Sequence, residues 1–486
     1  MVATAACAHP AAVVQPSVPA LVQLQHDIDG ILAQPALEHG YWGVLVKSLE
    51  TGDTLFALNA GKLMMPASNM KIVTLAAAAE KLGWDYTYKT RIAAGGPIVS
   101  GTLEGDLVVI GSGDPSLMDG ADGGTPPFDP WIAQLKQHGV ERIAGRIVGD
   151  DGAFQKQPLG FGWSWDDLVD DYAAGVGALQ FNENAVRVTV TPGAAFHERP
   201  TWHAVPATNG LEIHNAVITG TADSAAHVEA YRLPGSPSLI LHGSVPAGGP
   251  PVVRGVSVDK PTLFFLTALR AALQAGGIAV DGPVADLDDL GHDAPDPVSA
   301  TPIASFRSAP LSTLAIRLMK DSQNLYAETF LTTLSGAMPA TASTGRATVQ
   351  SVLAAWGVTG GGLIQRDGSG LSRYDYVTPE ALVTILTHVD RDPRLRGPFE
   401  ASLPIAGRDG TLSNQMKGTP AEGNARAKTG SMSNVRALSG YVTAADGERL
   451  VFSILANNFE TASDVITKTE DAIVVRLAEF RRRRGR

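Results

Sequence analysis

The chain has 486 residues, a formal net charge of −11, 44% hydrophobic and 18% charged residues, and 52 glycines with 31 prolines. This composition excludes a coiled coil, a disordered chain and a collagen-like fibre, and the acidic balance argues against nucleic-acid binding, which needs basic surface. The lone cysteine, Cys7, excludes an intramolecular disulfide framework and Cys-type zinc or iron–sulfur sites.

Residues 1–17 read as a flexible Ala/Pro-rich leader with neither a basic n-region nor a continuous apolar h-region. The run Thr4–Ala8 has small-residue cleavage character, and Cys7 is compatible with a degenerate lipid-attachment cysteine. Residues 18–34 predict a helix with Leu21, Leu24, Ile28, Ile31 and Leu32 on one face. Tyr41–Ser48 and Thr54–Asn59 predict two strands around the turn Glu50-Thr51-Gly52-Asp53. Pro66–Leu82 predicts a helix, with Pro66 in its first turn and Gly83 at its stop. From about residue 92 to 255 the texture turns to Gly, Pro, Val and Thr, with short strands such as Leu107–Ile110, Val186–Val190 and Ser238–Leu241. Helical periodicity returns at Lys260–Gly276 and Leu311–Lys320. Ala425–Thr429, Val435–Thr443 and Leu450–Ala456 predict three antiparallel strands, with the turn Ala445-Asp446-Gly447 between the last two. An amphipathic helix over 462–480 precedes a basic tail, Arg481–Arg484 and Arg486, read as a solvated terminus with at most peripheral attraction to anionic lipid. No stretch reaches the ~18 apolar residues of a membrane helix.

Both ends therefore carry helices and strands of one character. They predict a single α/β (α+β) domain, residues 18–92 plus 256–486, built on an antiparallel sheet of five strands flanked by helices. Residues 93–255 form a β-rich insert, expected as two small subdomains. The loop-entropy cost of such an insertion grows only logarithmically with its length.

Three motifs occur in a meaningful order: Ser68-Asn69-Met70-Lys71, Ser322-Gln323-Asn324 and Lys428-Thr429-Gly430. They form the S-x-x-K, S-x-N, K-T-G set of penicillin-binding proteins and serine β-lactamases. A decoy, Ser257-Val258-Asp259-Lys260, lies in a strand-like run, where residues three apart face opposite sides. Ser68 and Lys71 instead fall at a helix start, where i and i+3 share a face and the dipole favours negative charge. A serine hydroxyl needs a base beside it. Lys71 fills that role if burial and a second cation, Lys428, lower its pKa. Ser322 can relay a proton to the leaving amine, and Asn324 can hold Lys71 and bond a substrate amide. Lys428 and Thr429, on an edge strand, can bind a terminal carboxylate, and Gly430 lets substrate backbone approach. The backbone N–H groups of Ser68 and Ser431 are the candidate oxyanion hole.

Beyond these motifs, the chain resembles the class C low-molecular-mass penicillin-binding proteins, the D-alanyl-D-alanine carboxypeptidase/endopeptidase family that cleaves peptidoglycan stems. The resemblance rests on Asp367-Gly368-Ser369-Gly370-Leu371-Ser372-Arg373, on Ser402–Gly407 followed by Asp409-Gly410-Thr411-Leu412, on Lys417-Gly418-Thr419-Pro420 and on Leu438-Ser439-Gly440-Tyr441-Val442. In the insert it rests on Gly105-Asp106-Leu107, Gly113-Asp114-Pro115 and Phe181-Asn182-Glu183-Asn184. It implies a penicillin-binding/β-lactamase-like fold and an acyl-enzyme mechanism on stem peptides, with β-lactams as covalent inhibitors and an extracytoplasmic location. Through Trp163-Ser164-Trp165-Asp166-Asp167 it also implies that Asp167 and Tyr172 contact the ammonium end of a diaminopimelate side chain and that Arg373 binds its carboxylate. The structural alternatives are a cap for Asp167, an ion pair for Arg373 and core positions for Trp163 and Trp165. Ser433, three residues past Gly430, departs from the longer polar side chain of well-known members and leaves stem selectivity open.

No G-x-S-x-G elbow or Walker loop occurs, and the histidines show no zinc spacing, so neither cofactor nor metal is implied. A serine β-lactamase and a non-catalytic peptidoglycan-binding protein are the competing readings.

Overall fold

The computed structural model describes residues 19–119, 127–358 and 361–482. The leader, Cys7 and the end of the basic tail lie outside the described residues.

The organising element is a five-stranded antiparallel sheet built from both ends of the chain. Its strands are β1 (Tyr41–Ser48), β2 (Thr54–Leu58), β3 (Arg426–Met432), β4 (Val435–Thr443) and β5 (Arg449–Asn457), in the order β2-β1-β5-β4-β3. β1 pairs along its whole length with β5, Tyr41 against Asn457 through Ser48 against Leu450. The strands read as nearly unbroken apolar runs because both faces are covered. Alternate residues sort to opposite sides, as the period of 2 demands. Leu45, Ala437, Tyr441, Val451 and Leu455 enter one core, while Val44, Val46, Leu438, Val442, Phe452 and Ile454 enter the other.

The first core is closed by α2 (Met70–Leu82), α4 (Leu311–Lys320), α5 (Asn324–Thr333), α6 (Ala342–Ala355), α7 (Pro379–Arg391) and α8 (Pro393–Ser402). The second is closed by α1 (Ala20–Leu32) and α9 (Ser463–Glu479). The two terminal helices are tied together by Arg476 Nε donating to Asp27 at 2.6 Å.

The middle of the chain builds its own core around a mixed sheet, with strands Val284–Asp286, Ile147–Asp150, Leu107–Ile110, Lys89–Ala94 and Thr301–Arg307 in that order. Two further sheets are centred on Ala185–Thr191 and Ser238–Pro246, and their apolar residues join the same contiguous cluster. Here the packing departs from the sequence reading. The helix Pro261–Ala275 (α3) buries Phe264, Phe265, Leu266 and Leu269 in the insert's core, and Thr301–Arg307 pairs with Lys89–Ala94. An apolar helical stripe shows that a segment packs, not on which neighbour.

Candidate active site

Ser68 lies in a 3-10 turn, Ala67–Asn69, that runs directly into α2. The predicted helix start at Pro66 is therefore a tighter turn, and the i, i+3 proximity survives it. Ala67 adopts a left-handed φ of 45°. Gly370, itself at φ +84°, fits against it because a Cβ there would lie 1.8 Å from the Ala67 carbonyl oxygen.

The Lys71 ammonium is fully buried and makes three contacts. It meets Ser68 Oγ at 2.8 Å, Asn324 Oδ1 at 2.6 Å and the Ser369 carbonyl at 3.0 Å. Burial drives its pKa down to about 7, although the carboxylates of Asp367 and Glu328 push it back up. Across the site, Lys428 Nζ donates to Ser322 Oγ at 2.9 Å and to the Thr429 carbonyl at 2.8 Å. Burial holds Lys428 well below its ordinary value, and Lys71 lowers it further. Lys71 thus bears on Lys428, whereas Lys71 itself is lowered by burial and not by the second cation that the sequence suggested.

Each motif sits where its element delivers it. Ser322 occupies the bend between α4 and α5 with a strained φ of 60°, and Asn324 opens α5 behind the cap Gln323. Asn324 Nδ2 donates to the Tyr172 carbonyl at 2.7 Å, which fixes its Oδ1 toward Lys71. Lys428, Thr429, Gly430 and Ser431 lie on the edge strand β3. Asn69 Nδ2 ties β3 to the Ser68 turn through the Lys428 carbonyl at 3.0 Å. A Cβ on Gly430 would lie 2.7 Å from the Pro66 carbonyl oxygen, so this strand can sit so close only with glycine. Thr429 Oγ1 donates to Thr411 Oγ1 at 2.7 Å.

The residues brought in by resemblance sit on the rim. Tyr172 is 41% exposed, and its hydroxyl lies 2.8 Å from Asp167 Oδ1 and 3.1 Å from Asp170 Oδ2. Asp167 therefore partners Tyr172 here. Arg373 makes one long contact of 3.5 Å to the Ser433 carbonyl. Trp165 is 62% exposed, contrary to its expected core position, because the Ser164–Asp170 turns run across the surface. Trp163 is half-buried and its indole donates to Asp367 Oδ2 at 2.8 Å.

Sequence reasoning missed a set of acids beneath Lys71. Glu328, on α5, accepts from the Gly368 and Ser369 N–H groups, and Asp367 accepts from the Gly370 and Ser372 N–H groups. The one available signal for Glu328 is its place four residues after Asn324, on the same helix face. Among the described residues, Asp151, Asp286 and Asp288 converge as metal ligands would. Lys156 Nζ already lies 3.5, 2.9 and 3.0 Å from them, so a resident cation meets their charge.

Residues 24–480 match the D-Ala-D-Ala carboxypeptidase 3 (S13) family. The chain is 37% identical over 476 residues to a D-alanyl-D-alanine carboxypeptidase of Actinomadura sp. (strain R39), covering 95% of this chain and 85% of that one. It is 26% identical to D-alanyl-D-alanine carboxypeptidase DacB of Haemophilus influenzae, over 91% of each chain. The crystal structure of penicillin binding protein 4 from that organism superposes with a TM-score of 0.81 at 25% identity, covering 93% of this chain and 100% of that one.

Proposed function

The chain belongs to the D-Ala-D-Ala carboxypeptidase (S13) family, and we propose that Ser68, Lys71, Ser322, Asn324 and Lys428 carry its reaction on peptidoglycan stem peptides. The enzyme is a serine-type D-Ala-D-Ala carboxypeptidase that works through an acyl-enzyme.

The observation that carries the assignment is the buried Lys71 amine, 2.8 Å from Ser68 Oγ and held from two other sides. Neutral Lys71 takes the Ser68 proton as Oγ attacks the penultimate D-Ala carbonyl. The oxyanion that forms faces the N–H groups of Ser68 and Ser431. Ser322, bonded to Lys428, relays the proton now on Lys71 to the departing amine, so D-alanine leaves and Lys71 is neutral again. Water then attacks the ester, Lys71 taking its proton and returning it to Ser68 Oγ as the shortened stem is released. Lys428 and Thr429 hold the terminal carboxylate, and Gly430 and Ser431 line the path of the peptide along β3. The Tyr172–Asp167 pair supports recognition of an ammonium group on the stem, and Arg373 recognition of a carboxylate. The same chemistry, with a cross-linked amine as leaving group, cleaves D-Ala–diaminopimelate bonds.

Packing supports a division into a catalytic unit of about residues 19–88 and 308–482 and an insert of about 89–307. A peptidoglycan substrate supports a location outside the cytoplasm, and no helix among the described residues is long and apolar enough to cross a membrane.

The test uses fluorescent penicillin and a pentapeptide. Wild type should be labelled and should release D-alanine, and Ser68→Ala should do neither. Labelling that persists in Ser68→Ala would refute the nucleophile. Prompt turnover of penicillin by wild type would instead favour the β-lactamase reading.

A further inference from the structure

Glu328 is a fully buried carboxylate that the acylation scheme leaves without a task. Its Oε1 accepts from Gly368 N at 2.9 Å and Ser369 N at 2.8 Å, and its Oε2 accepts from Gly368 N at 3.0 Å. The next carbonyl along that backbone, Ser369 O, is one of the three contacts of the Lys71 ammonium. Thr74, one helical turn beyond Lys71, donates to the Gly368 carbonyl at 2.7 Å. Glu328 thus grips the strip of chain on which the catalytic amine rests. We propose that Glu328 is a positioning residue for acylation, its carboxyl group fixing the Gly368–Ser369 backbone under Lys71. The inference rests on the reading of Lys71 as the general base.

The charges around this pair come from every neighbouring element. Lys71 projects from α2 and Lys428 from β3, so two cations are buried side by side. Against them stand Asp367 and Glu328, and burial together with Asp367 pushes the Glu328 carboxyl up to about 8. Asp375, on the same loop, is pushed strongly up by burial and by the neighbouring Asp367. On α4, Arg317 is paired with Glu183 and Asp321, and Lys320 with Asp409. In the insert, Asp171 is raised by burial and faces Glu183 and Arg254. Arg346 of α6 and Arg366 share with Glu328 the lining of a cavity of about 510 Å³, a second approach to the acid from the insert side.

The Ser369 carbonyl holds the Lys71 amine only while the backbone beneath it keeps its place, and small displacements of reacting groups are costly. Glu328 Oε1 accepts from Gly368 N and Ser369 N, and Oε2 shares the Gly368 N–H, so alanine removes all of these bonds, whereas a glutamine carbonyl in the place of Oε1 still accepts.

The second-order rate of penicillin acylation of the full chain, measured from about pH 5 to 9, tests this. Glu328→Ala should lower the plateau about tenfold, and Glu328→Gln, whose carbonyl can still accept from the Gly368–Ser369 backbone, should restore most of it. Glu328→Asp, too short to reach the same backbone, should resemble the alanine variant and serves as the probe if that variant does not fold. An alanine variant that acylates at the wild-type rate, or a glutamine variant as slow as alanine, overturns the proposal. A wild-type profile with no acid limb would instead overturn the role of Lys71, and this inference with it.

Discussion

In the proposed mechanism a protonated Lys71 has no lone pair with which to take the Ser68 proton, so its charge state sets the acylation rate. Burial has brought its pKa down to about 7. The neutral fraction therefore grows as pH rises through that value. Acylation should fall about tenfold per unit below pH 7 and level off above about pH 8, in a stopped-flow assay with a chromogenic β-lactam. A rate still climbing toward pH 10 would mean an ordinary, solvated lysine. The same burial has an opposite consequence for stability. The folded chain binds fewer protons at Lys71 than the unfolded chain between about pH 7 and 10, so this residue costs more stability as pH falls across that window. The five motif residues were legible because their spacing is fixed by local geometry: i, i+3 on one turn, or neighbours on a strand. Glu328 and Asp375 were not, because a buried acid declares itself only through partners distant in sequence.

At the scale of the element, the sheet and the helices over it follow from alternation and periodicity, and most ends fall within one or two residues of their predicted places. Misses occur where a side chain's surroundings depend on which face another element covers. On α9, Glu470 is buried against β4 with Oε1 unpartnered, and its carboxyl is pushed well above its ordinary range by burial and by Asp471, with Arg436 opposing. A raised folded pKa means that the native state holds a proton the unfolded chain gives up, so stability drains away as pH rises above about 4.3. Glu470→Gln should be neutral near pH 4 and raise stability by about 1 kcal/mol or more at pH 8. Parallel urea melts at the two pH values would show it, and equal shifts at both would contradict the account.

Across the whole molecule, the outer halves were seen to make one sheet because the three late strands and the two early ones share an apolar, doubly covered pattern. Pairings such as Lys89–Ala94 with Thr301–Arg307 were not foreseen, because β3-to-β4-type hairpin cues say nothing of strands so far apart in sequence. The insert is also coupled to the site. Glu183, in a left-handed bend at φ 55°, holds Arg317 and accepts from Gln323 Nε2 at 2.7 Å, next to the strained Ser322. Glu183→Ala should slow acylation about tenfold while shifting the melting temperature by only a few degrees, since small displacements of reacting groups are costly. An unchanged rate would uncouple the insert from the Ser322 bend. The division of the sheet between the two ends has a further consequence for truncated chains. The strand Arg449–Asn457 stands between the strands of the two ends and joins them. A chain truncated before it would leave the strand that carries Lys428 unjoined to the sheet's N-terminal half, with no fixed seat for that lysine against Ser322.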